Sequence, residues 1–182
     1  MTLDTQPRSK WRYEDYAALP ADGLRHEIVD GEHFVNAAPS LHHQTVSRRI
    51  QFQLFAQIER TGRGQVFDAP VDVELADHDI VQPDLVVVLQ ANESILTPSR
   101  MKGSPDLLIE ILSPSNESFD RTRKKTAYER SGVAEYWIVD PETRTIEQYV
   151  LRDGRYELQP SAADSLRLHV LPDVTIRLAE VW

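Results

Sequence analysis

The amino-acid sequence predicts a mixed α/β domain with a central β-sheet flanked by helices. Two apolar runs rich in β-branched residues, residues 81–89 and 103–112, are too short for typical helices and are characteristic of buried strands. A segment with helical spacing follows, from about Ser118 to Arg130, and Gly132 is expected to end it. A third apolar run covers residues 135–141, so the central order is strand, strand, helix, strand.

The N-terminal half supplies a hairpin and a long helix. After a short helix at residues 13–19, residues 25–36 form two strands around Asp30-Gly31, a dipeptide that strongly favours a tight hairpin turn. Ser40 begins a helix whose apolar residues recur at four-residue steps, and Gly62 stops it. Those apolar residues are Val46, Ile50, Leu54 and Ile58.

The remaining segments predict strands at the margins of the sheet. Apolar and polar residues alternate between residues 65 and 75, which is typical of one strand half exposed to water. Edge strands are expected at residues 145–150, 155–158 and 174–178, with a turn at Asp153-Gly154. The central sheet should therefore carry an N-terminal hairpin and C-terminal edge strands.

Length and composition indicate one globular domain without disulfides. A chain of 182 residues can bury a sizeable core, and we assign residues 13–182 to one domain after a flexible tail at residues 1–12. Hydrophobic residues make up 41% and charged residues 27%, close to the averages of globular proteins. There is no cysteine, which excludes thiolate metal sites and leaves carboxylates and histidines as ligands. A hard, oxygen-binding ion is then the metal to expect.

Charge and terminal composition restrict where the protein works and what it binds. The N-terminus lacks the apolar segment of a signal peptide, and no run approaches ~18 apolar residues, so a cytoplasmic location is expected. The net charge of −9 argues against a surface that binds nucleic acid throughout. A local basic cluster could bind it, or could equally be a solvated helix face. Its members are Arg121, Arg123, Lys124, Lys125 and Arg130.

Two acids interrupt the apolar runs of the predicted central strands. Asp84 follows Pro83, and Glu110 stands between isoleucines near the end of the next strand. Burying an unpaired carboxylate costs several kcal/mol, so each acid needs a metal or a hydrogen-bond donor. Because adjacent strands lie ~4.8 Å apart, the two acids could share one cation. The alternative is that each is a structural acid in a hydrogen bond or salt bridge.

A lysine can join these acids from the following helix. Asp120, Lys124 and Tyr128 are spaced four apart and share one helix face. A lysine beside paired carboxylates would hold a positive charge near a scissile phosphate. The alternative is a surface ion pair between Asp120 and Lys124.

Several segments together resemble a known family. The resemblance covers about residues 13 to 160 and rests on Val81-Gln-Pro-Asp84, Gly103-Ser-Pro-Asp-Leu-Leu-Ile-Glu-Ile-Leu-Ser-Pro-Ser115, the spacing from Asp120 to Tyr128, and Gly132-Val-Ala-Glu-Tyr-Trp-Ile-Val-Asp-Pro141. The opening residues, His26-Glu-Ile-Val-Asp-Gly-Glu32 and His43-Gln44, also match. These segments are similar to the Uma-two family of endonucleases, which belongs to the PD-(D/E)XK nuclease superfamily.

The resemblance implies a restriction-endonuclease-like fold with a four-stranded mixed sheet flanked by helices. It makes Asp84 and Glu110 the two acids of the superfamily motif. Leu112 stands where the superfamily has its lysine, and Lys124 is the implied replacement. Lys125 is the neighbouring alternative, although its side chain should point ~100° away around the helix.

The resemblance also implies two further site residues. Glu27 would supply a third carboxylate, and His43 would line the site. The competing interpretation is that both are surface or capping groups, as acids in edge hairpins and histidines at helix starts commonly are. Asp106 also follows a proline, but it stands at a strand entrance, and we interpret it as structural.

The implied activity is hydrolysis of DNA phosphodiester bonds by water bound to Mg²⁺ or Mn²⁺, with Asp84, Glu110 and a backbone carbonyl near Ile111 as ligands. Arg121, Arg123 and Lys125 would bind the nucleic acid, and a homodimer would supply the two sites needed to cut both strands. The main alternative is a catalytically inactive nuclease-fold module for nucleic-acid binding or assembly. A glycosidase would need its two acids ~5 Å or ~6.5–9.5 Å apart across an open cleft, which neighbouring buried strands leave no room for.

Overall fold

The computed structural model describes residues 10–114 and 117–182. Most of the predicted N-terminal tail lies outside the described residues, but Trp11 is described and stacks on His33. The helices are α1 (Tyr13–Ala17), α2 (Leu41–Leu54), α3 (Glu117–Phe119) and α4 (Lys125–Ser131). A π-helical turn, Phe55–Glu59, extends α2, and another, Asp120–Lys124, joins α3 to α4. Single 3₁₀ turns cover Gln90–Ile95 and Leu178–Glu180.

Thirteen strands are defined within these residues. They are β1 (Arg25–Val29), β2 (Glu32–Asn36), β3 (Gly64–Asp68), β4 (Val73–Ala76), β5 (Asp79–Val81), β6 (Leu85–Leu89), β7 (Met101–Lys102), β8 (Leu107–Ile111), β9 (Glu135–Asp140), β10 (Thr145–Arg152), β11 (Arg155–Leu158), β12 (Ser165–Arg167) and β13 (Thr175–Arg177). In these parts of the chain no helix is long and apolar enough to cross a membrane.

The central sheet is mixed and flanked by helices, as predicted. Its order is β11-β10-β9-β8-β6-β3, in which β8 and β9 are parallel and the other neighbours antiparallel. The resemblance implied four strands, and the sheet has six. A hairpin explains one addition, because Asp153 and Gly154 both have positive φ and turn β10 directly into the edge strand β11.

A second, five-stranded sheet has the order β2-β1-β5-β4-β7. Its β1–β2 hairpin turns at Asp30 and Gly31, with φ of 52° and 75°, the left-handed pair that a tight hairpin requires. The hairpin prediction is confirmed. Gly132, with φ of 82°, also ends α4 where the sequence predicts.

Two predicted strands are wrong in one respect, because each is divided between the two sheets. Residues 65–75 form β3 in the central sheet and β4 in the second sheet, and residues 81–89 form β5 and β6 in the same way. Pro70 and Pro83 lie at the divisions, where the chain needs no ladder donor and proline has none. Asp84 therefore stands at a crossing between sheets, directly before β6.

The C-terminal segment also differs from the prediction. Residues 174–178 do not extend the edge of the central sheet. Instead, β13 pairs with β12 in a separate two-stranded sheet that packs on α2. No pattern in the sequence predicts the short β12.

The central sheet separates two apolar cores. On one face Ile109 and Ile111 pack against α2 and the C-terminal segment. On the other face Leu108 packs against α4 and the second sheet. Because side chains alternate along a strand, Glu110 shares the face of Leu108 and points towards α4 and the hairpin.

Candidate active site

Asp84, directly before β6, lies beside Glu110 of the adjacent antiparallel strand β8. Leu85 is opposite Ile109, so the next pair in the register is Asp84 opposite Glu110, and opposite residues project from the same face. Both are buried, with 5% and 2% of their surface exposed. The proximity expected from the sequence is present.

Asp84 is held by three donors from three parts of the chain. Its Oδ2 accepts a hydrogen bond from the amide of Ile111 at 2.9 Å and lies 3.0 Å from His43 Nε2, while its Oδ1 lies 3.0 Å from Arg25 Nη1. Burial alone would raise the pKa of Asp84. The hydrogen bond and charge of His43 and the charge of Arg25 together outweigh it, so the pKa is lowered.

Glu110 is held from the helix by Lys124 and Tyr128. Lys124 Nζ lies 2.9 Å from Glu110 Oε1, and the Tyr128 hydroxyl donates to the same oxygen at 2.6 Å. Burial raises the pKa of Glu110 well above its usual value. Lys124 opposes this shift, whereas the charges of Asp120 and Asp84 add to it.

Lys124 stands among three buried carboxylates. Besides Glu110, its Nζ lies 2.9 Å from Glu27 Oε1 and 3.6 Å from Asp120 Oδ1. Burial would lower the pKa of Lys124, but these carboxylates raise it above its usual value, so the ammonium is charged. The alternative of a surface pair between Asp120 and Lys124 is wrong, because both are buried.

The cluster carries excess negative charge. Four buried carboxylates, from Glu27, Asp84, Glu110 and Asp120, face the cations Lys124 and Arg25, so with all four acids ionised the formal charge is −2, or −1 when His43 is also protonated. Burial, together with the charges of Glu27 and Asp84, raises the pKa of Asp120 to about 6 although Lys124 opposes the shift. A bound divalent cation would balance this excess negative charge.

The space beside Asp84 and Glu110 would admit one small hard cation. A recess of about 10 Å³, roughly the volume needed for one water, is lined by residues that include Asp84, Glu110, Asp120 and Lys124. In the described parts of the chain no three acids or histidines converge as ligands. Side-chain ligation would therefore rest on Asp84 and Glu110, the pair that the sequence indicated.

The two additional candidates, Glu27 and His43, join the cluster. Glu27 accepts hydrogen bonds from Asn36 Nδ2 and from the amide of Gln82, the latter at 2.6 Å, and is fully buried. His43 is buried against Asp84 at the start of α2. Neither is the surface or capping group of the competing interpretation; the N-cap of α2 is Ser40.

Lys125 and the predicted nucleic-acid-binding arginines lie outside the cluster. Lys125 Nζ lies 4.0 Å from the centroid of the Tyr149 ring, away from Glu110. Arg121 forms ion pairs with glutamates of α3 and β10, and Arg123 lies 3.3 Å from a glutamate of β2. The positive charge of this helix face is therefore partly compensated within the protein, which sequence spacing could not show.

Other positions have clear structural roles or were missed. Asp106 accepts hydrogen bonds from the amide of Leu89 at 2.8 Å and from Asn92 at 3.2 Å, which fits its interpretation as structural. Arg25 was missed, because an arginine at the start of a hairpin strand carries no spacing signal towards an acid 59 residues away. Leu112, at the usual lysine position, belongs to an apolar core.

A mixed sheet flanked by helices, with paired acids on adjacent strands and a lysine beside them, is the arrangement of restriction-endonuclease-like nucleases. The chain belongs to the family Uma2, described as "Putative restriction endonuclease", whose model matches residues 13–179. A crystal structure described as "a putative nuclease belonging to DUF820 from Anabaena variabilis ATCC 29413" is similar, with a TM-score of 0.77 and 17% identity over 93% of this chain and 96% of that one. No curated protein matches the chain. Family and fold together support a nuclease role.

Proposed function

We propose that this protein is a metal-dependent endonuclease that hydrolyses phosphodiester bonds in DNA. Asp84 and Glu110 would hold Mg²⁺ or Mn²⁺, and Lys124 would be the third catalytic residue. The observation that supports this most is the position of Lys124. Its ammonium reaches Glu110 from the helix at 2.9 Å, so the helix supplies the lysine that the strand lacks at Leu112.

Each residue has a distinct task in this proposal. The bound ion would supply a nucleophilic water at neutral pH and offset the charge of the phosphate. Asp84 is oriented by Arg25 and His43, and Glu110 by Tyr128, which fixes the two carboxylates before substrate arrives. Lys124 would place a positive charge where negative charge develops in the transition state.

The substrate, assembly and location follow as parts of the same proposal. The family description favours DNA. Arg121, Arg123 and Lys125 would exchange their present partners for phosphates, and the exposed pair of Arg123 with Glu32 permits this at little cost. A homodimer would bring two sites to a duplex, and the cytoplasmic location expected from the sequence stays a prediction.

The test is a cleavage assay on plasmid and single-stranded DNA with Mg²⁺ or Mn²⁺. Wild type should cleave, whereas Asp84→Ala and Lys124→Met should lose activity. Lys125→Met, assayed at saturating DNA, is the matched control, since it removes a neighbouring ammonium from outside the cluster and should lower DNA affinity rather than turnover. Cleavage by Asp84→Ala at the wild-type rate would show that the activity comes from a contaminant or another site.

One observation favours the second candidate, an inactive nuclease-fold module. Lys124 already occupies the space among Glu27, Glu110 and Asp120, as a resident cation would. Calorimetric titration with Mn²⁺ separates the candidates. An active centre should bind the ion, and Glu110→Gln should weaken that binding, whereas an inactive module need show neither.

A further inference from the structure

The residues of the proposed centre are reached through a cavity rather than across an open surface. Asp84, Glu110 and Lys124 are all buried, so a phosphate has to leave the regular path of a continuous duplex and enter the protein to reach them. A cavity of about 320 Å³ leads inward and has Asp84, His43 and Arg25 in its lining. The small recess with Glu110 and Lys124 shares these three residues in its lining, so the recess adjoins the cavity.

The walls of this cavity suit a flat apolar group. They come from the turn before β1, the connection between β2 and α2, the connection between β3 and β4, and the polar first turns of α2. The volume lies at the lower end of the roughly 300–1,000 Å³ of small-molecule sites, which is room for one nucleotide and not for a base pair in a stack. The apolar wall residues are Leu24, Ala37, Ala38, Pro39, Ala69 and Pro70.

Arg25 and His43, which line the cavity beside Asp84, each have a nitrogen that is unpaired in the described parts of the chain. Within the described residues, Arg25 Nε and His43 Nδ1 are buried nitrogens without a hydrogen-bond partner. Arg25 Nε always carries a proton and can only donate, so an acceptor oxygen is its natural partner. Arg25 also contacts Asp84 through Nη1, which places the unpaired donor beside the proposed metal ligand.

We propose that this cavity binds one unpaired nucleotide of the DNA substrate, with the base against the apolar wall and its phosphate at Arg25 and Asp84. The substrate class is therefore DNA with unpaired nucleotides, such as single strands, bulges and frayed ends, rather than continuous duplex. This inference rests on the proposed nuclease function for its cleavage step. A continuous duplex would have to extrude a nucleotide first, which costs unstacking and unpairing.

The first test compares cleavage of a paired duplex, the same duplex with one bulged nucleotide, and the single strand. Wild type should cleave the two unpaired substrates at least tenfold faster. Ala38→Trp fills the cavity from an exposed position and should remove this preference together with most cleavage. Ala163→Trp, a matched change at an alanine that does not line the cavity, should behave as wild type. Equal rates on paired and bulged DNA, or an unaffected Ala38→Trp, would overturn the inference.

The second test measures binding of a nucleotide in the cavity without relying on cleavage. A 2-aminopurine base at the bulge should change its fluorescence when wild type is added, and Ala38→Trp should raise the required protein concentration at least tenfold while Ala163→Trp should not. If no substrate is cleaved above the Asp84→Ala background, the nuclease proposal fails while this titration still decides the inference. Absence of a fluorescence change with wild type, or an equal change with Ala38→Trp, refutes the cavity assignment.

Discussion

The two proposed metal ligands should respond in opposite directions when each is made neutral. The perturbations are Asp84→Asn and Glu110→Gln, both of which replace a carboxylate by an amide of nearly the same shape. The pKa of Asp84 is lowered, which means that its surroundings stabilise the charged form. The pKa of Glu110 is raised, which means that its surroundings disfavour the charge. Asp84→Asn should therefore destabilise the metal-free protein, whereas Glu110→Gln should leave its stability unchanged or raise it.

The expected loss of stability in Asp84→Asn follows from the hydrogen-bond partners of Asp84. Three donors meet this carboxylate, from Arg25, His43 and the amide of Ile111. An amide group can accept through only one atom, so at least one charge-assisted bond is lost. A hydrogen bond to a charged group contributes about 1.5–3 kcal/mol, so we expect a loss of about 2 kcal/mol. For a domain of this size that corresponds to a fall of about 4–8 °C in Tm.

Calorimetric melting at pH 7 in the presence of a chelator measures both variants against wild type. Circular dichroism before melting controls for retention of the fold. A fall in Tm for Glu110→Gln as large as that for Asp84→Asn would refute the reasoning, because it would show that Glu110 is stabilised by Lys124 more than it is disfavoured by burial and neighbouring acids.

The other predictions concern the helical segment from Asp120 to Lys125. Lys124→Met should lower the cleavage rate at saturating DNA by about 10²–10³-fold, as loss of a donor to developing charge does. Lys125→Met should leave this rate nearly unchanged. The reverse pattern in steady-state assays would contradict the observed orientation of the two lysine side chains. Because the folded pKa of Asp120, about 6, lies above its unfolded value, its contribution to stability is full at low pH and is lost as pH rises towards 6. Melting of metal-free protein should show that Asp120→Asn is stabilised relative to wild type at pH 7 more than at pH 4; a constant difference would contradict the shift. Charge reversal at Arg121 and Arg123 should weaken binding to all DNA sequences alike. It should also flatten the slope of log affinity against log salt concentration by about 0.7–0.9 per lost phosphate contact. An unchanged slope in binding titrations would exclude these arginines from the interface.

The sequence predicts best where a signal is local. The Asp30-Gly31 turn, the stop at Gly132 and the inward stripe of Asp120, Lys124 and Tyr128 depend on residues close together in the chain, and the structure has all of them. Asp84 and Glu110 were identifiable because each is an acid in an apolar run.

Contacts between residues far apart in the chain could not be predicted from the sequence patterns. Alternation along residues 65–75 is the same whether the segment stays in one sheet or crosses to another, so the pattern could not divide β3 from β4. The contact of Arg25 with Asp84 joins residues that no spacing relates. Likewise, the pairing of Arg123 with Glu32 compensates a charge that the sequence alone presents as free.

In the proposed metal-dependent enzyme, the ammonium of Lys124 among three carboxylates would separate folding from metal binding. This internal cation already compensates part of the charge of Glu27, Glu110 and Asp120. Metal binding would then be an exchange in which the arriving ion competes with the tethered ammonium for Glu110. A tethered competitor is present at high effective concentration, which weakens apparent metal affinity without altering the ligands. The metal concentration of its surroundings would thus set how much of the folded protein is ready to cut.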